Sequence, residues 1–189
     1  MKQLLTAFVF TLLLAPLANA KKVSGVEIPE MFKTSSGTEL MLNGAGVRSK
    51  FFMDLYVGTL YLTKTSDSGS EVIKSDEPMA IKLNIVSGMI TSDKMIDAVD
   101  EGFENATNGN TAPIKAEMGQ FLGAFKEEIK KGDIFDVVYI PGTGIELFKN
   151  GKQLDTVGGG MPFKEAVFGI WLSGKPAQKS LREEMLGDD

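Results

Sequence analysis

The stretch IFDVVYIPGTGIELFKNGKQLDTV, residues 134–157, contains three short runs with strand character: Ile134 to Ile140, Gly144 to Phe148 and Lys152 to Val157. They are rich in β-branched, aromatic and aliphatic residues, which fit a pleated, half-buried surface. Asn150-Gly151 separates the last two and is the strongest hairpin signal in the chain. A two-residue type I′ turn needs positive φ at both central positions, which Asn and Gly tolerate best. Strands joined this way run antiparallel.

Working upstream, Leu55 to Leu62 reads as a well-buried strand, and Pro78 precedes another, Met79 to Val86. Thr38 to Leu42 and Val47 to Phe52 read as two short strands flanking the turn-prone cluster Asn43-Gly44-Ala45-Gly46. Thr63 to Ser70 reads as a loop. After Thr91 the apolar period lengthens: Met95, Ile96, Val99, Phe103 and Ala106 fall on one helical face. A second helix is predicted from about Pro113, with Ile114, Met118, Phe121, Leu122, Phe125 and Ile129 as its stripe and Gly132 as its stop. Downstream, Gly158-Gly159-Gly160 leads into a helix over about Phe163 to Leu172. A last helix opens at Ser180, where Glu183 three residues on suggests a capping box. The order of strands, two helices, strands and two helices, with hairpin signals, predicts an α+β domain with helices stacked on one face of an antiparallel sheet. No internal repeat or long linker divides residues 21–189, which read as one domain.

Composition removes many functions. The 189 residues include no histidine and no cysteine, which excludes Ser-His-Asp and Cys-His catalysis, thiolate metal clusters and disulfides. No cofactor is implied. With 25 acidic against 20 basic residues and a net charge of −5, and with no basic patch, nucleic acid is not an expected partner.

MKQLLTAFVFTLLLAPLANA, residues 1–20, has a basic start at Lys2, an apolar run from Leu4 to Leu14, a break at Pro16 and the ending Ala18-Asn19-Ala20. This is the three-part pattern of a secretory signal peptide cleaved after Ala20. The apolar run rises only about 16 Å as a helix, short of a bilayer core of about 30 Å. The expected location is therefore the periplasm or the exterior, with no integral membrane segment after cleavage.

Several residues are candidates for chemistry. Asp97, Asp100, Glu101 and Glu104 recur at helical spacing but lie off the apolar stripe, as a solvated face would. The glycine clusters at 43–46 and 158–160 lack the partners of a phosphate-binding loop. Arg48 sits inside an apolar tract after a glycine pair. Eight residues on is Tyr56, which would share its face in one strand or meet it across a hairpin. A guanidinium fork matches a carboxylate, and a tyrosine hydroxyl adds a donor. A buried Arg must find an anion, either an external ligand or an internal Asp or Glu. Tyr61 and Trp171 are large amphipathic side chains suited either to a pocket wall or to the core. The methionines, Met53, Met79, Met89, Met95, Met118 and Met161 among them, are spread over all elements and suit an adaptable apolar cavity or ordinary core packing.

Leu42-Asn43-Gly44-Ala45-Gly46-Val47-Arg48 and Leu55-Tyr56-Val57-Gly58-Thr59-Leu60-Tyr61-Leu62 together resemble the chalcone isomerase superfamily. The tail Phe163 to Pro176, with Ser180-Leu181 and Met185-Leu186-Gly187, is similar to the exported bacterial chalcone-isomerase-like proteins. The resemblance implies an open-faced β-sandwich, a large antiparallel sheet with helices layered on it and a ligand cleft between. In plant isomerases the motif's arginine and a threonine on the next strand serve ring closure of a phenolic enone. In fatty-acid-binding members an arginine and a tyrosine hold the lipid carboxylate. Tyr56 falls at the threonine or tyrosine position, and the interval from Arg48 is shorter than in plant sequences. The isomerases' later tyrosine and asparagine are not matched near Thr91 to Asp100.

Three functions stay open on these grounds. The first is a periplasmic, non-catalytic binder of a fatty acid or similar small amphipathic acid, with Arg48 and Tyr56 on the carboxylate and Tyr61 and Trp171 lining the site. The second is an intramolecular lyase of isomerase type, using Arg48 and Tyr56. The third is an accessory protein acting through a partner surface, its protein partner unknown.

Overall fold

A computed structural model describes residues 21–187; the expected signal segment lies outside them. Seven strands pair in chain order, each antiparallel to the next: β3 (Met31–Lys33), β4 (Glu39–Lys50), β5 (Met53–Leu62), β6 (Met79–Ile85), β7 (Ile134–Ile140), β8 (Gly144–Lys149) and β9 (Lys152–Val157). Ahead of them, β1 (Lys21–Val23) and β2 (Val26–Ile28) form a separate hairpin. The helices are α1 (Gly69–Lys74), α2 (Ser92–Ala106), α3 (Lys115–Gly123), α4 (Gly160–Leu172) and α5 (Lys179–Met185). The α+β reading holds, and the Asn150-Gly151 turn has φ of 53° and 77° as anticipated.

The main core lies between one sheet face and the helices. Leu60 and Leu62 from β5 and Ile81 and Leu83 from β6 meet Phe103 of α2, Phe121 of α3 and Phe163, Phe168 and Ile170 of α4. Phe103, Phe121 and Phe163 have ring centroids 5.6–6.0 Å apart, a spacing that adds to their area burial. Gly102 and Gly169 let α2 and α4 approach closely: a Cβ at Gly102 would meet Ile170, and one at Gly169 would come within 2.8 Å of Ala106 Cβ. On the other sheet face smaller clusters form around Leu40, Tyr61 and Val138, and around Ile28, Ala45 and Val57.

Four local expectations are corrected. Asn43 to Gly46 is not a turn but the middle of the 12-residue strand β4. The glycines serve close packing: a Cβ at Gly44 would collide with the backbone carbonyls of Glu184 and Met185, and one at Gly46 with the Glu184 side chain. Helix α3 stops at Gly123, eight residues before Lys131, because glycines at 119 and 123 weaken it. Phe125 and Ile129 are still buried, carried by irregular backbone. Helix α5 begins at Lys179, and no side chain caps it, so the Ser180–Glu183 capping box is absent. Part of the expected loop at Thr63 to Ser70 instead enters α1, capped by the Ser68 side chain.

Lys164 on α4 is fully buried. Its ammonium donates to the carbonyls of Val72, Ile73 and Ser75 at 2.7–2.8 Å, closing the C-terminal end of α1. The rings of Tyr139 and Phe168 flank it at 5.4 and 5.5 Å. Three donors meet three carbonyls at a helix end, where such groups lack intrahelical partners; the Val72 carbonyl also accepts from the Ser75 hydroxyl at 3.2 Å. Burial pulls its pKa down to about 8, against the opposing pull of Glu165 and Asp76.

Two outcomes are expected. Gly44→Ala should lower stability by about 1–3 kcal/mol in urea unfolding, because backbone rather than a flexible side chain opposes the new methyl. From about pH 8 upward, native Lys164 has released a proton that the unfolded chain still holds, so rising pH favours the native state. Wild type should therefore gain stability relative to Lys164→Met between about pH 8 and 10, read as the difference between the two urea midpoints; parallel pH profiles would refute this.

Candidate functional site

The pairing of strands β4 and β5 is interrupted by two bulges. Between Leu42↔Tyr61 and Gly44↔Leu60 the extra residue is Asn43; between Arg48↔Tyr56 and Ser49↔Asp54 it is Leu55. Each bulge shifts the register by one residue, and so changes which side chains share a face. In the window between them Gly44, Gly46 and Arg48 face the helices, whereas Leu42, just outside, packs on the opposite face. Without the bulge at Leu55, Arg48 would stand opposite Leu55. With it, Arg48 is the direct partner of Tyr56, so the two share the helix-side face. Of the two sequence alternatives, the hairpin arrangement is the one observed.

Above this pair, between the sheet and helices α2 and α4, lies a cavity of about 460 Å³. That is within the range of roughly 300–1,000 Å³ for small-ligand sites. Its interior is formed by Tyr56, Leu83, Ile90, Met95, Val99, Ile170 and Trp171, all buried. Its exposed rim includes Lys50, Phe51 and Met53 from the β4–β5 hairpin, Met89, and Lys94, Asp97 and Glu101. Arg48 lines it at intermediate burial. The interior is apolar except for the few polar groups grouped near Arg48 and the Asn105 amide.

Arg48 is neither free in solvent nor clasped by a carboxylate. Its Nη1 donates to Ser49 O and to Gln178 Oε1, both at 2.9 Å. Among the described residues no Asp or Glu pairs with it. Gln178 acts as a clamp: its Oε1 also accepts from Ser49 N at 3.0 Å, and its Nε2 donates to Val47 O at 3.1 Å. Nη2 and Nε of Arg48 have no acceptor among the described residues, so the guanidinium keeps donors for an anion.

Tyr56 Oη accepts a hydrogen bond from Trp171 Nε1 at 3.1 Å. Burial raises the Tyr56 pKa, with Trp171 and the Arg48 charge pulling the other way. The phenol is neutral at physiological pH, and its own proton has no acceptor among the described residues. Arg48 and Tyr56 thus combine a fixed positive charge with an O–H donor at one end of an apolar chamber, an arrangement suited to an acid with an apolar tail.

Tyr61 does not join them. It stands five residues from Tyr56, an odd interval, so it points to the opposite sheet face. There it packs on Phe32 and donates to Pro29 O at 2.9 Å. Trp171 does line the cavity, but its N–H is committed to Tyr56, so it contributes its ring and orients the phenol. Met53, Met89 and Met95 reach the cavity, whereas Met79 and Met118 are core. Asp97, Asp100, Glu101 and Glu104 lie off the core, as expected, although Asp97 and Glu101 reach the cavity rim. Gln178 and the Leu55 bulge went unforeseen: no composition or periodicity distinguishes them. A second cleft of about 490 Å³, lined by Ser70, Lys74, Glu165 and Arg182 among others, holds none of the predicted residues.

The family model for chalcone isomerase-like proteins matches residues 20–187, and the chain belongs to that family. Its fold is similar to that of a fatty-acid binding protein of Arabidopsis thaliana known from a crystal structure, with a TM-score of 0.61 and 17% sequence identity over 83% of this chain and 96% of that one. Comparison with curated proteins gives no match.

The Tyr56–Trp171 bond has a measurable consequence. Tyr56→Phe strands a buried indole N–H and should cost about 1–3 kcal/mol of stability. A double-mutant cycle with Trp171→Phe, followed by circular dichroism in urea, should return a coupling of about 1 kcal/mol; additive losses would mean the bond contributes nothing.

Proposed function

We propose that this protein is a non-catalytic carrier or store for a fatty acid or similar amphipathic carboxylate, acting outside the cytoplasm after export. The observation that carries the reading is Arg48. It is a half-buried, permanently charged guanidinium at an apolar cavity, held among the described residues only by the neutral oxygens of Ser49 and Gln178. A charge in that setting is stabilised further by an anion, and the cavity offers room for one with an apolar tail. Each methylene removed from water would contribute about 0.8 kcal/mol. Arg48 and the Tyr56 hydroxyl would fix the head group while the tail runs along Leu83, Ile90, Met95, Val99 and Ile170. The Arabidopsis protein of similar fold is a fatty-acid binding protein, which supports this ligand class. The three-part pattern of residues 1–20 supports export. No cofactor or protein partner is needed for this role.

Trp171 is the single tryptophan and lines the cavity, so its emission reports ligand entry directly. Titrating palmitate should shift that emission in wild type. Arg48→Ala should weaken palmitate binding by about tenfold to a hundredfold, the worth of a charge-assisted hydrogen bond. Palmitate methyl ester should bind both proteins equally, since it carries no charge. If the ester and the acid bind wild type alike, or Arg48→Ala keeps full affinity for the acid, the reading is wrong.

A further inference from the structure

The hairpin between β4 and β5 turns on two residues, Phe51 and Phe52, at φ of 51° and 65°. Bulky side chains are seldom found at positive φ, where Cβ crowds the following carbonyl. The same chain makes its β8–β9 hairpin with Asn150-Gly151, the pair that such a turn favours. At the β4–β5 tip two phenylalanines are used instead, and their rings are in water: Phe51 is 77% exposed and Phe52 fully so. The tip therefore combines backbone strain with exposed aromatic surface. Strain of this kind is kept where the position has work to do.

The surroundings say what the tip fits. Met53 and Met89 extend the exposed apolar surface beside it. Lys50 and Lys94 flank it: Lys50 Nζ lies 5.7 Å from the Phe51 ring centroid, and Lys94 Nζ donates to Met89 O at 3.1 Å. Aromatic rings at an apex, with lysines whose stems are apolar and whose ammonium groups stay wet, match the boundary of a bilayer. A protein partner fits less well. Two phenylalanines supply about 150–250 Å² each, and even with the methionines the patch falls short of the roughly 800 Å² per partner of a stable interface. Among the described residues no helix is long and apolar enough to cross a membrane, so the contact would be peripheral. Phe51 and Met53 also belong to the cavity rim, which places the tip at the cavity entrance.

We propose that the Phe51-Phe52 tip inserts into the surface layer of a lipid bilayer and sets the cavity entrance against the lipid from which the acyl ligand is drawn. This purpose rests on the fatty-acid reading; the insertion itself does not. Around the tip, Asp54, Asp97 and Glu101 offset Lys50, Lys94 and Arg48, and the chain as a whole carries −5. Apolar insertion rather than charge therefore drives the contact, and phosphatidylcholine vesicles are the appropriate probe.

The test is flotation of the full protein with phosphatidylcholine vesicles, comparing wild type, Phe52→Gly and the double variant Phe51→Asn/Phe52→Gly, all with the same N-terminus. Glycine at 52 relieves the strained φ, so Phe52→Gly should melt at or above the wild-type temperature, which removes misfolding as an explanation. Wild type should float with the vesicles. Phe52→Gly should partition at least about fivefold less and the double variant less still, in line with the loss of inserted aromatic surface. Added salt should change wild-type partition by less than about twofold. Wild type that ignores vesicles, or variants that partition like wild type, would overturn the inference, as would a tip whose mutation changes only self-association. Palmitate binding without vesicles, read from Trp171, should be unchanged in Phe52→Gly. If wild type binds no palmitate, the fatty-acid reading falls, and vesicle partition still decides the tip.

Discussion

The site depends on how closely helix α5 lies on strand β4. Gly44 and Gly46 present no side chains to the helix, so the carbonyls of Glu184 and Met185 and the Glu184 side chain settle directly on the strand. The Glu184 carboxylate then accepts from Val47 N at 3.0 Å, and the Asn43 amide donates to Met185 O at 2.8 Å. Only with the helix at this distance does the residue before it, Gln178, reach the backbone of Val47 and Ser49 and the guanidinium of Arg48. The direction in which Arg48 points is set from the C-terminal end of the chain, 130 residues away.

The same closeness explains why Arg48 meets no counter-ion among the described residues. Glu184, the acid brought in by that packing, spends one oxygen on the Val47 amide rather than on the guanidinium. Gln178, which does reach Arg48, is neutral. A carboxamide in that place orients the arginine without cancelling its charge, whereas a glutamate there would form the buried pair that closes such a site. The Tyr56 phenol is treated alike: Trp171 engages its lone pair, and its proton meets no acceptor among the described residues.

Much of the fold could be read from the chain because its strands announce themselves locally. The runs at 134–140, 144–148 and 152–157 and the Asn150-Gly151 turn depend on neighbours in sequence, and their antiparallel pairing follows. Where a residue's role is set by distant chain, local reading failed. Asn43-Gly44-Ala45-Gly46 has the composition of a turn, but its glycines answer to α5. The α3 stripe persists to Ile129 because Phe125 and Ile129 are core residues, although the backbone under them is not helical. At the site, the apolar setting of Arg48 and its even separation from Tyr56 mark the two as a pair, while the choice between one strand and a hairpin rests on the turn at Phe51-Phe52 and the Leu55 bulge. The odd interval between Tyr56 and Tyr61 was equally legible, and it outweighs the amphipathic character that made Tyr61 a candidate. Gln178 had no such signal, since its role exists only after the last helix has docked.

The two bulges in the β4–β5 pair carry a consequence for how such a protein can change over time. Asn43 and Leu55 bracket a short window whose pairing is fixed from within. Residues beyond the second bulge, from Ser49 through the turn to Asp54, lie outside it. A change of length at the hairpin end leaves Tyr56 as the neighbour of Arg48, whatever it does to the tip. A single residue gained or lost inside the window would instead rotate the arginine to the far side of the sheet. A change in length at the apex therefore bears on the tip alone, and one step below it on the guanidinium.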